Sequence, residues 1–172
     1  MTKILTKPSY GWSSLNLTDV NEVEHSFPLS YIDDVPYMLL NAIDKSFTKS
    51  IYLAGDDFNI QFDAEGWDWN LVSNLFDTWV VTSKDRLEIF EFEIDRIKLV
   101  KAILDCLEED YQEWGNFCCD VNESCYESNA NDFLVEVKKV KEKVDNWFKE
   151  IRDWPWNGNN QIKSLKSYTL LV

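Results

Sequence analysis

The hydrophobic pattern of this chain changes its period once within a single continuous stretch, between Arg86 and Trp114. From Leu87 to Ile94 three glutamates interrupt an apolar run that is rich in strand-forming residues, which is the pattern of a strand with one solvent-facing side. From Asp95 onward the apolar residues recur every three or four positions, as in one helical stripe: Ile97, Val100, Leu104, Leu107, Tyr111 and Trp114. The sequence therefore predicts a strand that runs directly into a long helix.

The segment before this stretch predicts short strands and one helix. Residues 3–19 alternate loosely, which predicts one or two strands, and the polar residues 21–26 predict a loop. Asp33 and Asp34 are good helix caps, and a proline follows at a position where the first helical turn tolerates it. We therefore expect a helix of about three turns that ends near Ser46.

The middle of the chain predicts an antiparallel sheet. Four runs combine strand-forming residues with an alternating pattern: residues 50–54, 57–62, 67–71 and 78–82. The pairs Gly55-Asp56 and Glu65-Gly66 suit tight turns between them. Strands that follow one another with such short links favour an antiparallel meander, which we expect to contain about four to six strands.

The C-terminal part predicts a second long helix. Residues 115–131 are polar, lack a period and contain three of the four cysteines, so we expect a flexible loop there. Asn131 or Asp132 can cap a helix whose apolar stripe reaches Trp154. Residues 162–172 then predict a strand that returns to the sheet.

The whole pattern predicts an α+β fold in one domain, residues 1–172: an antiparallel meander, a short N-terminal helix and two long C-terminal helices. Within that domain we expect residues 1–94 to be mainly β, residues 95–154 to form a helical pair, and residues 162–172 to form the last strand.

The charge of the chain is strongly negative and unevenly distributed. Against 17 lysines and arginines stand 31 aspartates and glutamates, which gives a net charge of −14. Residues 48–93 contain three basic and ten acidic residues, whereas residues 129–172 contain eight basic and six acidic ones. An acidic surface of this kind repels nucleic acid and anionic lipid and accelerates association with basic proteins, although acidity also serves solubility alone.

Neither a membrane helix nor a signal peptide is indicated. The chain has no run of about 18 apolar residues, and Lys7 and Pro8 stand where the apolar part of a signal peptide would lie. We therefore expect a cytoplasmic protein. In a reducing compartment its four cysteines would be free thiols, although a disulfide between Cys125 and Cys118 or Cys119 stays open.

The sequence contains no recognisable catalytic or metal-binding motif. Cys118, Cys119 and Cys125 lack the paired spacing of a zinc site, and a calcium loop that starts at Asp57 fails because its turn position is Phe62 rather than glycine. His25 is the only imidazole and stands in a polar stretch. We therefore expect neither an enzyme nor a resident metal or cofactor.

The acidic β region is the candidate binding surface, because carboxylates beside aromatic side chains are typical of protein interfaces. We expect it to contact a partner through Asp56, Asp57, Asp63, Glu65, Trp67 and Asp68. Trp67 and Trp69 stand two positions apart on one strand, so we expect them to be both buried or both exposed.

The Asp63-Ala64-Glu65-Gly66 hairpin and the later Phe92-Glu93-Ile94-Asp95 passage from strand to helix, together with size and charge, carry one resemblance. Residues 30–110 resemble the small acidic bacterial immunity proteins of contact-dependent and polymorphic toxin systems. The resemblance implies that the protein binds a basic toxin domain, such as a nuclease, and occludes it. Three alternatives remain: a nucleic-acid mimic that blocks a defence enzyme, an adaptor domain, and an enzyme with a site assembled from distant positions.

Overall fold

The computed structural model describes residues 3–47, 58–73, 78–83, 88–118 and 126–152. Within these ranges the chain forms six strands and four helices. The strands are β1 (Trp12–Thr18), β2 (Glu24–Ser30), β3 (Phe58–Asp63), β4 (Asp68–Ser73), β5 (Thr78–Ser83) and β6 (Glu88–Glu93), and the helices are α1 (Val35–Ser46), α2 (Arg96–Glu109), α3 (Tyr111–Gly115) and α4 (Tyr126–Arg152). The predicted strands at 50–54 and 162–172 lie outside the described residues, as does the predicted turn at Gly55-Asp56.

The predicted antiparallel meander is confirmed. Strands β3, β4, β5 and β6 form one sheet in sequence order, and each strand pairs antiparallel with the next. Along β3 the side chains of Phe58, Ile60 and Phe62 are buried, whereas Asn59 and Gln61 are exposed. The same alternation runs through β4 and β5, so one side of the sheet faces the core.

Strands β1 and β2 pair with each other in a separate two-stranded sheet. The prediction of a loop at residues 21–26 is wrong for its second half, because β2 begins at Glu24. Its aromatic and apolar side chains pack against the four-stranded sheet: the Phe27 ring lies 5.4 Å from the Trp69 ring, and the indole Nε1 of Trp69 donates to the Pro28 carbonyl at 2.9 Å. These tertiary contacts hold a strand that its own polar residues do not predict.

Helix α1 covers the residues predicted for it and ends at Ser46. Its buried face contains Val35, Leu39 and Ile43, which join the same hydrophobic cluster as the buried side chains of both sheets and of α2, α3 and α4. Helix α2 follows β6 directly, as predicted, and the carboxylate of Asp95 caps it by accepting a hydrogen bond from the Lys98 backbone N–H at 2.8 Å.

The C-terminal helices differ from the prediction at two places. The apolar stripe from Ile97 to Trp114, predicted as one helix, is divided at Asp110 into α2 and α3. Asp110 has non-helical dihedral angles, and its carboxylate lies close to the ammonium groups of Lys3 and Lys7. Helix α4 begins at Tyr126 rather than near Asn131. Its first turns pack closely on α3, since a Cβ atom on Gly115 would lie 2.7 Å from the Ala130 Cα atom. This packing stabilises the first turns of α4, whose sequence lacks a repeating apolar pattern.

Candidate partner-binding surface

The side of the four-stranded sheet that faces away from the core carries carboxylates at two opposite ends. Asp63 and Asp68 are direct cross-strand partners at the end of the β3–β4 hairpin, and Glu91 and Glu93 lie at the other end on β6. Uncharged side chains separate the two ends: Asn59, Gln61, Asn70, Val72, Thr78, Val80, Thr82 and Ile89. Residues 58–73, 78–83 and 88–93 contain six carboxylates and no lysine or arginine.

Two hydrogen bonds made by Asp63, one through its carboxylate and one through its backbone N–H, hold the β3–β4 turn in shape. Asp63 accepts the Gly66 backbone N–H at 3.0 Å, and its own N–H donates to a carboxylate oxygen of Asp33 at 2.5 Å. Glu65 and Gly66 both have positive φ, at 54° and 89°, so the chain reverses sharply there and leaves the Glu65 side chain exposed. We call Asp33, Asp63, Glu65 and Asp68 the acidic corner.

The two tryptophans of this region are not equally buried, so that prediction is wrong. Trp69 has no exposed surface, whereas Trp67 precedes β4 and is half-buried. The Trp67 indole Nε1 donates to the Ser83 hydroxyl oxygen at 3.1 Å, and Ser83 is the cross-strand partner of Trp69. Trp67 therefore lies on the core side of the sheet and does not share a face with Asp63 and Asp68. Trp67 and Trp69 thus point to the same side of the sheet, as their spacing of two residues predicts, but Trp67 is less deeply buried.

A second acidic group lies on β6, which is the last strand of the sheet order among the described residues. Glu88, Glu91 and Glu93 are all exposed, and the side chain of Ile89 between them is 67% exposed. These glutamates were not among the predicted site residues. The signal that could have identified them is that they interrupt an apolar run at the solvent-facing positions of a strand. Carboxylates on an edge strand also hinder unwanted pairing with another sheet.

Seven carboxylates of the helices are in a different electrostatic state, because a lysine lies within ion-pair distance of each, although Asp132, Glu142 and Glu150 on α4 have no such partner among the described residues. The ion pairs join Lys3 to Glu109, Lys7 to Glu113, Lys101 to Asp145, Lys139 to Glu136, Lys141 to Asp105 and Glu108, and Lys143 to Asp44. The hydrogen bond to Glu109 raises the pKa of Lys3, and the one to Glu113 raises the pKa of Lys7. By contrast, Asp63, Glu65, Glu91 and Glu93 have no basic partner within ion-pair distance in the described part of the chain.

The predicted site is therefore partly brought together. Asp63, Glu65 and Asp68 lie in one corner of the sheet, and Trp67 stands beside them on its opposite side. Asp56 and Asp57 lie outside the described residues. The structure adds Asp33 to the corner through a hydrogen bond that spans thirty residues, a contact that no local pattern in the sequence signals.

The imidazole of His25 occupies an aromatic setting in β2. Its ring lies 5.0 Å from the Phe90 ring and 5.6 Å from the Phe92 ring, and its Nε2 atom is 3.2 Å from a carboxylate oxygen of Asp19. No cysteine or serine is among these partners of the ring in the described structure. This arrangement fits a structural role for His25 at the hairpin of β1 and β2.

The described residues hold few other features that could serve a ligand. No three His, Cys, Asp or Glu side chains there could jointly hold a metal ion. A cavity of about 240 Å³ between α2 and α4 is lined by Lys101, Leu104, Asp105, Lys141, Val144 and Asp145, whose charged groups pair with one another. Cys106 and Cys118 are free thiols. Among the described helices, none combines the length and apolar character needed to cross a membrane.

Comparison with known proteins gives this chain no relative: no family model, no curated protein and no solved structure matches it.

Proposed function

We propose that this protein is an inhibitor of immunity type that acts in the cytoplasm by binding a basic toxin domain through the acidic side of its four-stranded sheet. One observation carries the proposal: most carboxylates of the described helices are paired with lysines, whereas Asp63, Glu65, Glu91 and Glu93 on the sheet have no basic partner in the described structure. Among the described residues, the four-stranded sheet thus presents at least these four carboxylates without a compensating cation.

Such a surface suits occlusion rather than chemistry. Carboxylates that project into solvent raise the association rate of a basic partner, and this effect weakens beyond a Debye length of about 10 Å at 0.1 M salt. Lysines and arginines that a nuclease uses to hold phosphates would pair with the carboxylates instead. The substrate would then be excluded without any catalytic step by the inhibitor.

The spacing of the carboxylates supports this proposal over a nucleic-acid mimic. A duplex presents one phosphate about every 3.4 Å along each strand, so a mimic needs regularly repeated charges. Here the rows between the two acidic ends contain asparagine, glutamine, threonine and apolar side chains. An adaptor whose acidity serves only solubility is the second candidate, and it requires no particular placement of the charges.

The test uses the C-terminal domain of the protein encoded immediately upstream of this chain's gene, since immunity and toxin genes are expected to be neighbours. A variant with Asp63→Asn, Glu65→Gln, Glu91→Gln and Glu93→Gln removes four sheet carboxylates. A control with Asp105→Asn, Glu109→Gln, Glu136→Gln and Asp145→Asn removes four exposed or partly exposed helical carboxylates and changes the net charge equally.

We expect the unaltered chain to protect cells from that domain and to bind it. The sheet variant should associate about tenfold more slowly and lose most of the salt dependence of the association rate, whereas the control should retain both. An upstream product that is not toxic would overturn the immunity assignment. Equal slowing by the two variants would show that net charge alone acts, and it would overturn the sheet as the binding surface.

A further inference from the structure

A tight turn near the N-terminus holds a tyrosine in a backbone conformation that tyrosine rarely adopts. Ser9 and Trp12 exchange two backbone hydrogen bonds, of 2.9 and 3.0 Å, which closes a two-residue hairpin turn. Its central residues, Tyr10 and Gly11, have φ values of 52° and 76°. Two positive φ values are the requirement of a type I′ turn, whose first central position favours asparagine, aspartate or glycine.

Tyr10 contributes little to the fold from this position. Its side chain is 99% exposed, so burial offsets none of the conformational cost of a left-handed aromatic residue. An asparagine would serve the turn better. The fold itself therefore gives no reason for a tyrosine at this position.

Three further side chains with large exposed surfaces belong to this turn or to the segment that packs on it: Trp12 closes the turn, and Tyr31 and Ile32 follow β2. The Tyr31 backbone N–H donates to the Gly11 carbonyl at 2.9 Å, and a Cβ atom on Gly11 would lie 2.9 Å from the Tyr31 ring. The Tyr31 ring thus packs against the turn, where only glycine leaves room. Exposed fractions are 39% for Trp12, 50% for Tyr31 and 51% for Ile32. We call Tyr10, Trp12, Tyr31 and Ile32 the aromatic patch.

The aromatic patch adjoins the acidic corner. Asp33 follows Ile32 directly, and its carboxylate accepts the hydrogen bond from the Asp63 backbone N–H that fixes one end of β3. The exposed side chain of Ile32 is therefore followed directly by a carboxylate of the acidic corner. Tyrosine and tryptophan are enriched among the residues that dominate binding energies, and polar groups around them commonly form the rim of an interface.

We propose that the aromatic patch is the apolar anchor of the partner interface, and that its occupant is an apolar side chain set among lysines and arginines on the basic partner. The argument for that occupant is charge complementarity, because Asp33 directly follows Ile32 of the patch and is hydrogen-bonded to Asp63 in the acidic corner. This inference rests on the proposed function, since it takes the same partner. The acidic corner governs the rate of approach, and the aromatic patch governs how long the complex lasts.

The experiment measures association and dissociation rates with the upstream-encoded toxin domain. The test variant is Tyr10→Asn with Ile32→Ser, which removes two exposed side chains and keeps Tyr31 packed on Gly11. The control variant is Val20→Ser with Val23→Ser, which removes two side chains that are 67% and 51% exposed near the opposite end of the β1–β2 hairpin. Urea denaturation of both variants verifies folding.

We expect the test variant to dissociate at least about tenfold faster, with an unchanged association rate and unchanged salt dependence. Its urea midpoint should not fall, because asparagine suits this turn position better than tyrosine does. The control variant should dissociate like the unaltered chain. If the test variant binds as tightly as the unaltered chain, the assignment of the aromatic patch is wrong, but the proposed function still stands. Failure of the unaltered chain to bind the toxin domain would overturn the proposed function, and the patch assignment with it.

Discussion

Asp33 and Asp63 are joined by a hydrogen bond between the Asp33 carboxylate and the Asp63 backbone N–H, at 2.5 Å. The bond connects the segment just before α1 to the last residue of β3. It also holds Asp33, the residue that directly follows Ile32 of the aromatic patch, in the acidic corner. A carboxylate that accepts a backbone hydrogen bond is held more firmly than a solvated one, so this part of the surface is held in one arrangement.

The first prediction concerns this bond. Asp33→Ala leaves the Asp63 N–H without its acceptor, and we expect the free energy of unfolding to fall by about 1–2 kcal/mol. Asp33→Asn keeps an oxygen acceptor and should cost less than half as much. Urea denaturation of the two variants and the unaltered chain checks this. Equal losses would mean that charge, rather than the hydrogen bond, stabilises the corner.

The second prediction concerns the close approach of α3 and α4. Gly115→Ala would place a Cβ atom 2.7 Å from the Ala130 Cα atom and 3.1 Å from the Asn129 carbonyl oxygen. Since both neighbours are backbone atoms, the helices must separate, and we expect a loss of about 3 kcal/mol by urea denaturation.

Gly66→Ala is the matched control for that substitution, because nothing lies within 4 Å of the added Cβ atom. Its cost comes only from the positive φ of 89°, and we expect it to be about 1 kcal/mol. A Gly115→Ala variant as stable as the unaltered chain would contradict the tight helix packing.

The third prediction is a pH dependence at the β1–β2 turn. The Val23 N–H, the His25 side chain and the Asn21 N–H all donate to Asp19 and lower the pKa of its carboxyl below the usual 3.8. The resulting stabilisation is complete above pH 3.8 and is lost as the pH falls through the lower pKa of the folded state. Asp19→Asn keeps an acceptor but does not titrate.

Urea midpoints measured between about pH 5 and pH 2 therefore should fall more steeply for the unaltered chain than for Asp19→Asn. The comparison isolates Asp19, because every other acidic group titrates in both proteins. Parallel curves would show that the hydrogen bonds to Asp19 do not persist in solution.

The fourth prediction concerns the two described thiols. Burial raises the pKa of the Cys106 thiol, so little reactive thiolate forms there near neutral pH. Cys118 is exposed, and its Sγ atom lies 3.4 Å from the Asp33 carbonyl oxygen. With iodoacetamide and mass-spectrometric peptide mapping, we expect Cys106 to react at least about tenfold more slowly than Cys118. Comparable rates would mean that the core around Cys106 opens readily.

Where apolar residues repeat with one period over several turns, the sequence predicted the elements well. The β-to-α passage at Asp95 and helix α1 are examples, because side-chain burial repeats every two residues in a strand and about every 3.6 in a helix. Strand β2 and the first turns of α4 were missed, since their polar residues show no such period. Phe27 against Trp69, and Ala130 against Gly115, hold them instead.

The sequence alone determined the α+β class, the meander of β3 to β6 and the excess of negative charge, because periodicity and composition are local or summed properties. Only the tertiary structure decided which carboxylates remain without basic partners and which aromatic side chains stand beside them. Lys3 meets Glu109 and Asp33 meets Asp63 through chain separations that no local pattern encodes. Electrostatic pairing depends on distances in space, and those distances exist only once the chain has folded.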